Sequence, residues 1–436
     1  MTNKTQKNGS LIAIITMFFL YAMISFVTNL GAPIGVIWKN QPEIGGSNVL
    51  GIMGNFMNFF AYLFMGIPAG KMLTKVGYKK TALIGIAVGF IGVLIQYLSG
   101  FSGGISGFRI YLLGAFISGF SVCILNTVVN PMLNLLGGGG NRGNQLNMIG
   151  GTLNSLSGTM TPMLVGALIG TVTANTQMAD VNLVMYIAMA VFAAAFCILL
   201  FIPIEDPEAA RVTAETKFEH SPWSFRHLKL GVIAIFVYVG CEVGIPGGLN
   251  FFLSDAERGA GSMFANAATV GGAVAAMYWL LMLVGRLCSS FIAAKVSARQ
   301  LMLVTTSVAM VLIVLAMLMP KTNTVSMPLF DIVHGTSSTI TVPLSALLLV
   351  LCGLCTSVMW TSIFNLATEG LGKYTAQASG IFMMMVVGGG VLPVIQNFFA
   401  DHIGYMPSYF VYFLGMAYMF YYALVGCKNV NKDIPV

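Results

Sequence analysis

Charged residues are scarce in this sequence. Asp, Glu, Lys and Arg together make up 8% of the 436 residues, whereas hydrophobic residues make up 57%. A soluble domain carries about a quarter charged residues, because its surface faces water. The composition therefore excludes an ordinary soluble fold and indicates a chain that lies mostly within a lipid bilayer. The net charge of +7 consequently gives no reason to expect a nucleic-acid partner.

Clusters of metal-ligating or nucleophilic residues are lacking as well. The four histidines fall in predicted loops or at the ends of apolar segments: His220, His227, His334 and His402. Cys352 and Cys355 form a CxxC pair on an apolar segment. Without a nearby histidine or a second pair, we interpret them as small packing residues. We expect no enzymatic activity, no cofactor and no metal site.

Long apolar segments recur along the chain. A helix that crosses a bilayer needs roughly 20 predominantly apolar residues. Twelve such segments can be placed, at residues 10–38, 47–70, 81–100, 108–135, 145–172, 182–203, 227–253, 268–294, 299–319, 341–368, 375–399 and 406–427. The run at 11–38 is much longer than the apolar core of a cleavable signal peptide, so we expect it to be the first span. The sequence thus predicts an all-α membrane protein with twelve transmembrane helices.

The basic residues lie mainly on one side of this predicted topology. With both termini in the cytoplasm, all of the 21 Lys and Arg residues face inward except Lys39, Arg109, Arg258 and Lys321. Cytoplasmic loops of membrane proteins are enriched in Lys and Arg. We therefore predict cytoplasmic termini and a basic inner surface that contacts anionic lipid.

The chain divides into two similar parts. Its longest polar stretch between spans, at about residues 205–227, separates six predicted spans from six. The segment NTVVNPMLNLLG at 126–137 resembles TSIFNLATEGLG at 361–372, and each precedes a Gln and a Gly-rich span. Duplicated transporter halves bind substrate between them near the bilayer midplane. We predict two pseudo-symmetric six-helix bundles, 1–204 and 227–436, joined by a cytoplasmic loop at 205–226.

The first predicted cytoplasmic hairpin has a distinctive composition. It runs from Gly70 to Lys80 and contains Gly77 and Lys79. This pattern resembles the signature between helices two and three of the major facilitator superfamily, with Thr74 in place of its acidic residue. We expect the glycines to let two helices approach closely and the lysines to anchor the loop.

Glu242 is the single acidic residue deep within a predicted span. An ionisable group at that depth is costly and is a functional-site hypothesis by default. Pro246 follows one turn later and cannot donate to the Glu242 carbonyl, so we expect a discontinuous helix with a flexible stretch at 244–248. Burial favours a neutral carboxyl, which makes Glu242 a candidate proton carrier. A carboxylate beside Na⁺ and a merely structural, hydrogen-bonded acid are the alternatives.

Amide side chains form stripes on several predicted spans. Asn126 and Asn130 are one turn apart beside Pro131, and Asn147 and Asn154 share one helix face. Amides donate and accept hydrogen bonds, which suits a neutral sugar, although each alone could equally join two helices. We predict the following amides as substrate-binding residues: Asn29, Asn126, Asn130, Asn147, Asn154, Asn365 and Gln396.

Two aromatic residues and one arginine complete the candidate site. Tyr238 and Trp279 are the aromatics that we select for stacking on a sugar ring, although span-end aromatics are often interface anchors. Arg286 is predicted at the cytoplasmic end of span eight, where an anchoring role is the simplest interpretation. We group it with Gly70, Gly77, Lys79, Pro131 and Pro246 as gating or structural residues.

Several segments together resemble one family. They are YVGCE at 238–242, YW at 278–279, GR at 285–286 and IFNLATEGLGKYTAQASGIFMMMVVGGGVLPVIQ at 363–396. They resemble the fucose:proton symporter family of the major facilitator superfamily, especially its glucose/galactose transporter branch. The resemblance implies two six-helix bundles, alternating access and inward sugar transport driven by a cation gradient.

The resemblance also exposes a difference in acidic residues. Asn29 and Asn126 stand where the fucose carrier has carboxylates for proton coupling and sugar binding, so those two sites cannot couple protons here. Glu242 stands where that carrier has an amide and the glucose/galactose branch has an acid. The comparison implies that coupling has moved to Glu242, that Na⁺ replaces H⁺, or that transport is uncoupled.

The sequence therefore predicts a monomeric carrier that imports a monosaccharide such as glucose or galactose across the bacterial inner membrane with H⁺ or Na⁺. An uncoupled sugar facilitator, an efflux carrier for amphipathic compounds and a non-transporting sugar sensor are the alternatives. Efflux predicts a greasier cavity with fewer amides, and a sensor usually needs a signalling domain, for which the short loop at 205–226 leaves little room.

Overall fold

The computed structural model describes residues 2–136, 140–170, 172–173, 175–202, 220–292, 296–331, 336–371 and 375–431. The predicted central loop at 205–226 lies mostly outside these ranges. The N-terminal helices are α1 (Thr2–Asn29), α2 (Gly31–Lys39), α3 (Asn48–Gly51), α4 (Met53–Val76), α5 (Tyr78–Leu98), α6 (Gly104–Leu136), α7 (Gly140–Ile169) and α8 (Asn182–Phe201). The later elements are α9 (Arg226–Ser254), α10 (Ala267–Ile292), α11 (Ala298–Leu318), β1 (Thr324–Asp331), β2 (Thr336–Pro343), α12 (Leu344–Thr356), α13 (Met359–Thr368), α14 (Thr375–Met385), α15 (Gly388–Ile403), α16 (Tyr405–Ser408) and α17 (Phe410–Tyr421).

The helices are long enough to span a bilayer. Ten stretches of the described chain are both long and apolar enough to cross a membrane. Helices α4 and α7, with 24 and 30 residues, are also long enough at 1.5 Å per residue. They are less apolar because they carry amides such as Asn55, Asn58 and Asn154. With these two helices the predicted twelve spans are accounted for, and the helical membrane fold is confirmed.

Two groups of helices pack separately. Helices α1 to α8 form the first group, here called the N half, and the helices from α9 onward form the C half. The halves meet chiefly where α7 packs against α10 and where α4 packs against α14 and α15. The boundaries at residues 204 and 227 stay a prediction, because most of the loop between them lies outside the described residues.

The predicted break at Pro246 is wrong. Helix α9 continues from Arg226 to Ser254 with Pro246 inside it. Its glycines allow close packing. A Cβ added at Gly244 would lie 2.1 Å from the Tyr412 hydroxyl, and one added at Gly248 would lie 3.0 Å from Gln396 Oε1. Neighbouring helices thus hold the backbone in place although proline removes one hydrogen bond. The described spans that do break are the first, at Leu30, the second, at Ile52, the tenth, near Ser357, the eleventh, near Val387, and the twelfth, at Tyr409.

The first cytoplasmic hairpin uses its glycines and its lysine in distinct ways. Gly77 joins α4 to α5 with a φ of 84°, a conformation that favours glycine. Lys79 donates from Nζ to the carbonyl oxygens of Leu200 and Ile202 at the end of α8, at 3.0 and 2.7 Å. Among the described residues, Gly70 does not mediate close helix approach, because an added Cβ would meet none of their atoms within 4 Å.

A β-hairpin connects spans nine and ten, where the sequence predicted only a loop. Strands β1 and β2 are antiparallel and pair from Thr324 with Pro343 to Asp331 with Thr336. Residues 341–343, predicted as the start of span ten, therefore belong to a strand. Pro343 then serves as the N-cap of α12, a boundary that proline favours because it lacks an N–H.

The tight contact between α9 and α15 gives a stability prediction. A Cβ at Gly388 would lie 1.8 Å from the Phe236 carbonyl oxygen, so the backbones must separate if a side chain is added. Overpacking of this kind costs roughly 1–3 kcal/mol. We expect Gly388→Ala to lower the melting temperature of the detergent-purified protein by several degrees. Gly70→Ala, inside α4 where space is open, should not lower it, because alanine is the better helix former. Equal losses in melting temperature for both variants would contradict this packing.

Candidate substrate and coupling site

Glu242 is held by neighbours on two helices of the C half. Tyr238 lies one turn earlier on α9, so its hydroxyl reaches the same face and donates to Glu242 Oε1 at 2.7 Å. Arg286 on α10 approaches the same oxygen with Nη2 at 3.3 Å. The Glu242 and Arg286 side chains are only 12% and 24% exposed. A largely buried carboxylate is thus compensated by one cation and one hydroxyl.

Arg286 also reaches the N half, a contact that the sequence did not predict. Its Nη1 donates to Ser155 Oγ at 2.8 Å and to the Gly151 carbonyl oxygen at 3.1 Å, both on α7. Helix α10 continues to Ile292, so Arg286 lies nearly two turns inside the helix end. A long side chain at that position points to the interface between the halves.

A small cavity lies beside this pair, between the two halves. It is lined from the N half by Thr28, Asn29, Ala32, Pro33, Asn55 and Pro162, and from the C half by Val243, Pro246, Gly247, Asn250, Ala275 and Trp279. Its volume is about 20 Å³, which is the space of roughly one water molecule. A hexose is larger than this volume, so its binding would need the two halves to separate.

The predicted amides of the N half are bound mainly to that half. Asn126 donates to the Tyr62 hydroxyl at 2.8 Å, and Asn154 donates to the Tyr21 carbonyl oxygen at 3.1 Å. The Tyr21 hydroxyl donates to Asn130 Oδ1. These amides are only partly buried, so each keeps surface that can face a solute.

Asn29 and Trp279, both predicted as substrate contacts, line the cavity directly. Asn29 donates from Nδ2 to the Ser25 carbonyl oxygen at 2.9 Å, which leaves its Oδ1 available. Pro246 also lines the cavity, one turn from Glu242. The side chains of Asn147 and Pro131 lie outside the described residues.

Three predicted substrate contacts lie elsewhere. Gln396 is fully buried inside the C half, where its Nε2 donates to Ser408 Oγ at 2.7 Å. Asn365 borders a separate depression with Arg299 and Glu369. Tyr238 is 0% exposed, and its hydroxyl contacts Glu242; its role in stacking on a sugar stays a prediction. The sequence gives the residue types and shows which of them share a helix face. It does not show which neighbouring helix that face meets.

A polar network on the predicted outer side was missed by sequence reasoning. Lys39, at the end of α2, places Nζ 2.5 Å from Asp255 Oδ2 and donates at 2.5 Å to the Tyr405 hydroxyl. That hydroxyl also lies 2.8 Å from Asn48 Oδ1. The network therefore joins the N half to the C half above the cavity.

Asp401 adds a second link on the outer side. Its carboxylate accepts from the backbone N–H groups of Asn48 and Val49 at 2.9 and 3.2 Å. Arg258 approaches Asp401 Oδ1 at 3.4 Å. These contacts tie the end of α15 to the start of α3.

Asp255 keeps its negative charge at neutral pH. Burial by itself would raise the pKa of Asp255, but the adjacent Lys39 ammonium and several hydrogen bonds hold that pKa well below its usual range. A carboxyl whose pKa is lowered in the folded protein stays ionised at neutral pH and loses its stabilising charge only in strong acid. The Asp255 carboxylate of the outer network therefore stays ionised throughout the physiological pH range.

Removal of the Lys39 charge should open the outer side. Lys39→Met leaves the Asp255 carboxylate buried without its cation, and breaking a buried pair costs roughly 3–5 kcal/mol. The probe is a cysteine introduced by Asn250→Cys in a protein that lacks the exposed Cys197 and Cys288. An impermeant thiol reagent is added from outside. We expect this cysteine to react about tenfold faster when Lys39→Met is also present.

The exposed Arg109 provides a control for this measurement. Arg109 lies on the same predicted side, and Arg109→Gln removes one charge without affecting the network. Its reaction rate should match that of the parent. Equal rates for Lys39→Met and the parent would show that the network does not hold the outer side closed.

Comparisons with known proteins agree with this architecture. Residues 9–394 match the Major Facilitator Superfamily. The chain is 30% identical over 435 residues to the glucose/galactose transporter of Brucella abortus biovar 1 (strain 9-941), covering 98% of this chain and 96% of that protein. It is 21% identical over 418 residues to the L-fucose-proton symporter of Escherichia coli (strain K12), covering 90% and 87%.

Solved structures show the same fold. The transporter FucP in the outward conformation is similar with a TM-score of 0.66 and 18% identity, covering 95% of this chain and 99% of that one. A mutant form of the nucleoside transporter NupG is similar with a TM-score of 0.65 and 15% identity, covering 95% and 98%.

Proposed function

The chain belongs to the Major Facilitator Superfamily, and we propose that it imports a monosaccharide across the bacterial inner membrane together with H⁺ or Na⁺. It is a multi-pass membrane transporter and not an enzyme. Similarity over nearly the whole chain to a glucose/galactose transporter supports a hexose substrate. The carrier works as a monomer in this proposal, because the cavity is lined by the two halves of one chain.

The Glu242 and Arg286 pair beside the cavity is the observation that carries the proposal. A carboxyl group inside a membrane span is retained at considerable cost and can bind a cation that crosses with the solute. Val243, the next residue of α9, lines the cavity. Cation binding at Glu242 is therefore adjacent to the place where a solute would bind.

The chemistry of the cavity supports a neutral polyol. Asn29, Asn55 and Asn250 supply amide donors and acceptors, and Trp279 supplies an apolar ring. Sugars are bound by this combination of hydrogen-bonding groups and flat apolar surfaces. The present volume of about 20 Å³ means that binding follows separation of the halves, as alternating access requires.

The other transporter functions make different demands. An uncoupled facilitator would equilibrate sugar without responding to cation gradients. An efflux carrier would need a greasier cavity, whereas several amides line this one. A sensor would bind sugar without exchange.

Uptake into proteoliposomes separates these functions. A panel of labelled hexoses, 6-deoxyhexoses and N-acetylhexosamines should be tested with pH and Na⁺ gradients imposed separately. Accumulation above equilibrium driven by one gradient supports symport, and equilibration alone supports a facilitator. Failure of every sugar to exchange in counterflow would contradict sugar transport.

Glu242→Gln tests the coupling role of the carboxyl group. The amide cannot carry a proton or neutralise Na⁺, so gradient-driven accumulation should fall to the equilibrium level. Sugar counterflow should persist, because exchange needs no net cation movement. Uphill uptake by this variant at the parental level would remove Glu242 from the coupling mechanism.

Asn126→Ala tests the N-half amides as substrate contacts. Asn126 is held by Tyr62 and is only partly buried, so part of its amide can contact a sugar. Loss of one polar contact of roughly 1–1.5 kcal/mol should weaken the apparent sugar affinity about tenfold. Asn365→Ala is the matched control, because Asn365 borders a different depression. Unchanged affinity with lowered melting temperature would identify Asn126 as a packing residue only.

A further inference from the structure

Arg286 binds both halves of the carrier through one guanidinium group. One nitrogen approaches the Glu242 carboxylate of the C half at 3.3 Å. The other donates at 2.8 and 3.1 Å to Ser155 and Gly151 of the N half. We call this set of contacts the Arg286 bridge.

The Arg286 bridge lies on the cytoplasmic side of the cavity. On α10, Trp279 lines the cavity, and Arg286 follows it by seven residues. On α7, Pro162 lines the cavity, and Ser155 precedes it by seven residues. Seven residues are about 10 Å of helix. With cytoplasmic termini, α10 runs inward and α7 runs outward, so both offsets point toward the cytoplasm. The outer network around Lys39 and the Arg286 bridge thus bound the cavity from opposite sides.

The guanidinium and an added cation compete for one carboxylate. Arginine remains protonated under all relevant conditions, and a charge at this depth needs a compensating anion. Glu242 is the carboxylate paired with Arg286 in the described structure. A proton or Na⁺ on Glu242 removes that compensation, and by reciprocity the bridge weakens cation binding at Glu242.

We propose that Arg286 acts as an internal substitute for the transported cation. In the empty carrier it neutralises Glu242 and, through Ser155 and Gly151, keeps the cytoplasmic side closed. When a cation binds Glu242, the guanidinium loses its partner and the link to α7 weakens. Arg286 is thus a positioning residue for coupling, and this inference rests on the proposed cation coupling at Glu242.

The surroundings of Glu242 contain few other titratable groups. The described groups that face it are Tyr238 on its own helix and Arg286 and Tyr278 on α10. From α1, Tyr21 lies within electrostatic range of Arg286. The partners from α7 are a hydroxyl and a carbonyl oxygen, which do not titrate in this range. Arg286 is therefore the charge whose removal should alter cation binding at Glu242.

Cation-dependent unfolding of the full-length protein in detergent tests this inference without any sugar. Melting temperatures are measured across Na⁺ concentrations and, separately, across pH. The same series with Glu242→Gln defines the part that depends on Glu242. Arg286→Met should let Glu242 bind its cation at about tenfold lower concentration or less. In the Na⁺ series the half-saturating concentration then falls, and in the pH series the midpoint moves to higher pH. The reason is that a neighbouring charge changes the proton affinity of a carboxyl group tenfold or more.

Two further variants keep the test valid if Arg286→Met fails to fold. Arg286→Lys keeps the charge but loses the forked geometry, so its cation dependence should lie between those of the parent and the methionine variant. Ser155→Ala removes one link to α7 and should strengthen cation binding slightly, while leaving the Glu242 contact intact. Parental cation dependence in every folded variant, or no Glu242-dependent cation effect in the parent, would overturn the inference.

Transport measurements provide the second readout. With labelled D-galactose and D-glucose, Arg286→Met should retain counterflow but lose most net efflux into sugar-free medium, because only net efflux requires the empty carrier to return. Parental net efflux in this variant would contradict the substitute-cation role. Absence of counterflow in the parent protein would instead contradict the proposed sugar transport, while the unfolding experiment would still decide the role of Arg286.

Discussion

A charge inside a membrane-spanning helix has to be compensated, and the candidate site is built around that constraint. Glu242 cannot rely on water for stabilisation, since its side chain is only 12% exposed. The compensation comes from Tyr238 on the same helix and Arg286 on the next. Because Arg286 in turn binds Ser155 of the opposite half, the electrostatics of one carboxylate are connected to the packing of the two halves.

The two closures around the cavity differ in their chemistry. On the outer side, Lys39 and Asp255 form a pair whose side chains are 5% and 8% exposed, and the lowered pKa of Asp255 keeps its carboxylate ionised at neutral pH. On the cytoplasmic side, Arg286 pairs with Glu242, whose neighbour along α9, Val243, lines the cavity. In the proposed mechanism only the second closure responds directly to a transported cation. Sugar binding then has to widen a cavity of about 20 Å³.

Polar and small residues serve packing as well as binding in this fold. Asn55 on α4 lines the cavity and donates to the Gly389 carbonyl oxygen of the opposite half at 2.9 Å. The glycines of α9 admit side chains such as Tyr412 at close range. This explains how a proline-containing helix stays continuous, and why an amide or glycine in a span has no single meaning until its neighbours are known.

The sequence alone determined the helical membrane fold, because apolar length and the distribution of lysine and arginine depend on the bilayer and not on the details of packing. It also singled out Glu242, since an isolated acid in an apolar span is recognisable without neighbours, and it selected Asn29 and Trp279, which line the cavity. Only the tertiary structure decided that Arg286 pairs with Glu242, that Tyr238 orients this acid, and that Gln396 and Asn365 lie away from the cavity. It likewise brought together Lys39 and Tyr405, which are 366 residues apart. Helical periodicity defines which residues share a face, but the direction of that face follows from the packing of the whole bundle.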